Sequence, residues 1–183
     1  MSLIGHNRGP TMAKGAGWRR YAWKKARADL LPTLPIEVAR MRVRRARELG
    51  IDYKSYAGIR AATGRDIIAL LFSDNALRLV NGRALPEDRR AKLEELKRVD
   101  LMAMLHPPKS IPDVLAANPM IARAAMAPGL HASWSDVRAA VLSLKGSLPA
   151  DGVVVVGETF LERDWSEAGR LAGYIPAESY FGP

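Results

Sequence analysis

The run Gly152-Val153-Val154-Val155-Val156-Gly157 decides the fold. Four consecutive β-branched residues lose rotamer freedom in a helix and pack well on a pleated sheet. With no apolar/polar alternation, the run predicts a strand covered on both faces, as in a parallel sheet. Two further runs read the same way: Ile67-Ile68-Ala69-Leu70-Leu71-Phe72 and Val99-Asp100-Leu101-Met102-Ala103-Met104-Leu105. A helix over residues 66–80 competes for the first of these, because periodicity alone does not separate a buried strand from a buried helix. Strands near 67–72, 99–105 and 153–157 would alternate with helical segments. The expectation is an α/β fold, with a short, mostly parallel sheet flanked by helices and preceded by a basic helical N-terminal region.

The helical segments follow from their start signals. Leu85-Pro86-Glu87-Asp88 opens one that reaches to about residue 97. Ser73-Asp74-Asn75 carries cap residues and predicts a helix directly after the first strand. Helix is also expected over residues 111–126, interrupted near Pro119, and over 133–144, where Ser133 and Asp136 have capping-box spacing. A last helix over 161–172 precedes Tyr174-Ile175-Pro176.

Charge is distributed unevenly. Residues 1–60 hold 14 Lys and Arg against 4 Asp and Glu, a net of +10, within a chain whose total is +9. The remainder is therefore close to neutral. Such asymmetry points to a polyanionic partner on one side of the molecule, nucleic acid first. It divides the chain into a tail over 1–17, a basic helical region over 18–64 and a small α/β domain over 65–183. Within the basic region, Trp18, Tyr21 and Trp23 interleave with Arg19, Arg20, Lys24 and Lys25. Aromatics among cations can stack on bases while the cations meet phosphate, or they can dock a helix on its own core.

Residues 36–64, IEVARMRVRRARELGIDYKSYAGIRAATG, hold two helices around a corner. Ile36, Ala39, Val43 and Ala46 make an apolar stripe, flanked by Arg40, Arg44, Arg45 and Arg47. Gly50 suits the left-handed turn that ends a helix, and Asp52 suits the cap of the next. The pattern Ala46, Gly50, Ile51, Tyr56, Ile59 resembles the core of a helix-turn-helix. That resemblance implies a groove-facing surface near Lys54, Ser55 and Arg60. Gly58 and the bulky Tyr56 depart from it. The plain alternative is an αα-corner with a solvated basic face.

The remaining composition excludes several classes. There is no cysteine, so no disulfide and no thiolate metal site. No apolar stretch is long enough to span a bilayer and no secretory leader is legible, so a cytoplasmic protein is expected. Ile4-Gly5-His6-Asn7-Arg8-Gly9-Pro10 resembles the leader of phage-type and mobile-element proteins of alphaproteobacteria and implies no mechanism.

No phosphate-binding glycine loop and no metal-ligand spacing of histidines is present, so no cofactor or metal is expected. Chemistry in an open α/β sheet sits beyond the carboxyl ends of strands. Those ends offer Asp74, His106 and Glu158 as an acid/base set for a hydrolase or phosphate-handling enzyme. Val156-Gly157-Glu158-Thr159, with Asp164 and Ala168-Gly169, resembles the last motif of haloacid-dehalogenase-type phosphatases, which implies an acidic pair holding magnesium. The Asp-x-Asp nucleophile motif of that family is absent. The leading expectation is a nucleic-acid-associated accessory or regulatory protein using Arg19, Arg20, Lys24, Lys25, Arg40, Arg44, Arg45, Arg47, Lys54, Ser55 and Arg60. A basic arm docking on an acidic protein is a third reading.

Overall fold

The computed structural model describes residues 34–79 and 82–182, together with Trp18, Tyr21 and Ala22. Arg19, Arg20, Trp23, Lys24 and Lys25 lie outside the described residues. The chain divides into two compact units, residues 1–39 and 40–183. Of the first, Trp18, Tyr21 and Ala22 are helical.

The second unit is built on five parallel strands: β1 (Ala69–Ser73), β2 (Asp100–Leu105), β3 (Arg123–Met126), β4 (Val153–Gly157) and β5 (Gly173–Pro176). Their spatial order is β3-β2-β1-β4-β5. Leu71 stands opposite Met102 on one side and Val155 on the other. All five residues of β1 and of β4 are buried. That is why these strands read as unbroken apolar runs.

Alternate residues feed two cores, because side chains point to opposite faces with period two. Leu70, Phe72, Leu101, Ala103, Val154 and Val156 face one core; Ala69, Leu71, Met102, Met104, Val153 and Val155 face the other. The first core is covered by helices α1 (Ile36–Glu48), α2 (Tyr53–Thr63), α3 (Glu87–Glu94), α4 (Ile111–Ala117) and the short C-terminal α7 (Ala177–Phe181). The second is covered by α5 (Trp134–Lys145) and α6 (Phe160–Ala168).

The corner between α1 and α2 forms as its residues require. Gly50 takes the left-handed conformation, φ 64°, and Ile51 N–H reaches back to Ala46 C=O at 3.0 Å. Asp52 caps α2 by accepting from Ser55 N–H. Ala46, Leu49, Ile51 and Tyr56 are buried in the same core as the sheet. The corner thus belongs to the α/β layer. It brings Tyr56, bulky enough to cross the layer, to Asp66, where its hydroxyl donates at 2.8 Å.

Two expectations are corrected. The helix foreseen over 111–126 stops at Ala117, and residues 123–126 are the edge strand β3, paired with β2 from Met102↔Arg123 to Leu105↔Met126. The alanines there favour helix locally, but ladder pairing overrides a weak local preference. No helix follows Ser73-Asp74-Asn75; residues 74–78 form a turn closed by Leu77 N–H to Ser73 C=O and Leu79 N–H to Asp74 C=O. The side chain of Asp74 is needed elsewhere. Among the described residues no helix is long and apolar enough to cross a membrane.

Candidate active site at the carboxyl edge of the sheet

The chain leaves β1 toward α3 on one face and leaves β4 toward α6 on the other. Their carboxyl ends therefore diverge, and such a divergence opens a crevice. A cavity of about 360 Å³ lies at this edge, on the α5–α6 face. It is lined by the ends of β1 and β2, the loop after β3 and the first turns of α5 and α6.

Asp74 follows the last residue of β1, and its N–H bonds to Met104 C=O as a further rung of the ladder. That rung places its carboxylate beside the end of β2. Oδ2 accepts from the backbone N–H of His106 at 3.1 Å; Oδ1 lies 2.6 Å from His106 Nδ1. The tight turn His106-Pro107-Pro108-Lys109 returns Lys109 Nζ to Oδ2 at 2.6 Å. Asp74 is 1% exposed. Burial pushes its carboxyl up, but hydrogen bonds from Lys109 and His106 outweigh burial and hold it below the usual carboxylate range. An ionised Asp74 accepts only, so Nδ1 donates to it, and whenever the ring is neutral Nε2 is left as an acceptor. The His106 ring sits 6.0 Å from that of Trp165, tilted 33°.

A second network fixes the opposite wall. Thr159 and Glu162 form the capping box of α6. Glu162 Oε2 accepts from Thr159 N–H at 3.0 Å and Glu158 N–H at 2.5 Å, and Oε1 accepts from Asn75 Nδ2 at 2.6 Å. This ties the turn after β1 to the start of α6. Gly157 makes the contact possible: a Cβ there would lie 2.8 Å from Tyr174 Cε2 and 2.9 Å from Glu162 Oε2.

Of the three strand-end groups expected from sequence, the structure brings Asp74 and His106 into contact. Glu158 is exposed and does not line the cavity; Asp164 does. The acidic pair implied by the phosphatase resemblance is therefore split. Among the described residues no group of three or more His, Cys, Asp or Glu is placed to hold a metal. Lys109, Glu162, Trp134 and Trp165 went unforeseen. The spacing Thr159-x-x-Glu162 was a legible capping signal; Lys109 and the tryptophans carried none, since only the fold carries them to one edge.

The basic residues are placed unequally. Arg45 is turned inward and uses all five N–H donors: on Asp66, Glu48 and the carbonyls of Ile67, Lys97 and Arg98, at 2.8 to 3.2 Å. Arg60 lies 3.7 Å from Asp66. Arg40, Arg44, Arg47 and Lys54 are exposed; Arg44 and Arg47 share a shallow depression with Glu48, Glu95 and Lys97. Ser55 is half-buried in the first turn of α2.

The chain matches no protein family, no curated protein and no solved structure.

Proposed function

We propose that the protein is a small α/β hydrolase acting on a compact organic ligand held at the carboxyl edge of the sheet. One observation carries this reading: a buried carboxylate holds Nδ1 of His106 at 2.6 Å inside a cavity. That pairing fixes the ring and its tautomer and stabilises the imidazolium formed when Nε2 takes a proton. His106 is the general base, Asp74 the positioning carboxylate and a water in the cavity the nucleophile. Lys109 keeps Asp74 ionised. Phosphate handling fits less well, because among the described residues the cavity is lined by three carboxylates, Asp74, Glu162 and Asp164, and by one lysine or arginine, Lys109. The test is hydrolysis of 4-nitrophenyl esters and anilides. His106→Gln should abolish the wild-type rate above buffer, whereas an undiminished rate in His106→Gln would refute the assignment.

A second reading is favoured by the exposure of Arg40, Arg44 and Arg47, spaced to share one side of α1, with Lys54 on α2. These residues suit contacts to a nucleic-acid backbone, or to an acidic protein. Arg45 takes no part in it, its donors being used internally. Binding of duplex DNA that weakens steeply with salt supports this reading, and salt-independent binding rejects it.

A further inference from the structure

We propose that the cavity selects an organic cation: an ammonium or protonated nitrogen base carried on an apolar body. This names the ligand class of the hydrolase reading and rests on it. The first support is the wall chemistry. Trp165, 3% exposed, lies along the cavity, and Trp134, 54% exposed, lines it from the first turn of α5. Indole faces attract cations through their quadrupole, more strongly than the rings of tyrosine or phenylalanine.

The second is charge. Lys109 answers Asp74 and Asn75 bonds Glu162, but Asp164 makes no hydrogen bond or ion pair among the described residues while lining the same cavity. A half-buried carboxylate with no partner among the described residues, lining one cavity with two indoles, is the counter-ion such a ligand needs. Nε2 of His106, which also lines the cavity, is an acceptor when the ring is neutral. An acceptor and a carboxylate together favour a ligand that donates or is positive, and oppose one that is anionic. In a chain of net charge +9 this acidic cavity stands against the overall field.

The wall geometry also assigns roles. Asp164 and Trp165 are adjacent in α6, and Trp134 approaches from α5. The cation would sit between the two helices, with its apolar body toward Leu130 and Val137 and its reacting group toward His106. The base is then aligned by the binding of a remote charge, which is how non-reacting parts of a substrate aid a reaction.

The experiment titrates the full chain with benzyltrimethylammonium, benzyl alcohol and benzoate, following heat and tryptophan fluorescence. The cation should bind saturably, and neither benzyl alcohol nor benzoate should match it. Asp164→Asn and Trp134→Ala should each weaken the cation about three- to thirtyfold. Both changes are at partly or largely exposed positions and leave the core intact. Benzoate or benzyl alcohol binding as tightly as the cation would overturn the proposal. So would wild-type affinity in both variants, or no binding of the cation at all. Ester hydrolysis by the same preparation separates the two claims. Hydrolysis lost in His106→Gln without cation binding sinks only the ligand class; cation binding without hydrolysis sinks only the hydrolase reading.

Discussion

Strand β1 ends in a carboxylate cluster at each edge, and the two clusters differ in what they leave over. At the amino edge Asp66 gathers Arg45, Tyr56 and Arg60. At the carboxyl edge Asp74 gathers His106 and Lys109. Arg45 has every donor occupied, and it ties the helical corner to the sheet. His106 spends one nitrogen on Asp74 and leaves the other in a cavity. The chemistry of the carboxylate is the same at both edges. Whether its partner retains an unused group separates a structural cluster from a candidate site.

The comparison breaks most visibly at Arg45. Arg45→Leu would remove five hydrogen bonds, leaving the part-buried Ile67 carbonyl without its donor and Asp66 with Tyr56 and Arg60 alone, so unfolding in urea should reveal a loss of about 3 kcal/mol. A loss below about 1 kcal/mol would mean that the amino-edge cluster is dispensable. Asp74→Asn should cost as much, about 3 kcal/mol, because its carboxylate is buried while His106 and Lys109 stay partly solvated.

The acid limb sharpens the same contrast. The folded-state pKa of Asp74 lies below its unfolded value of about 3.9. Its contribution is therefore present above that pH and disappears as pH falls through the lower, folded value. Melting temperatures measured from about pH 6 down to pH 3 should fall more steeply for wild type than for Asp74→Asn. Parallel curves would mean that Asp74 gains nothing from its partners.

Smaller effects follow. Gly157→Ala would push a methyl group into Tyr174 and Glu162 and should lower stability by about 1–3 kcal/mol, read by thermal unfolding. Tyr56→Phe removes one hydrogen bond to Asp66 and should cost about 1 kcal/mol in the same assay. Arg44→Ala and Lys54→Ala, both exposed, should change stability by less than about 0.5 kcal/mol. Their effect, if the nucleic-acid reading holds, is a shallower salt dependence of DNA binding, and an unchanged slope counts against it.

Much of this architecture is legible in the sequence. Three strands lie within two residues of where their apolar runs placed them, because a strand buried on both faces has no other way to be written. Gly50, Asp52 and Ser133 marked their turns and caps through local chemistry alone. Strand β3 was missed for the opposite reason. Arg123-Ala124-Ala125-Met126 has no strand signature, and it is extended only because β2 offers a free edge. The site was half legible. Asp74 and His106 could be placed at strand ends, but Glu158 was read for a role its exposed side chain does not meet.

The sequence by itself determined the layer type, the main strands, the corner at Gly50 and the uneven charge, since each is fixed by residues within a few positions of one another. The tertiary structure alone decided which arginines stay outside, which carboxylate meets which base, and that two tryptophans about thirty residues apart share one cavity. Those outcomes depend on contacts between distant segments. Such contacts are set by the order of strands in the sheet, which no local pattern records.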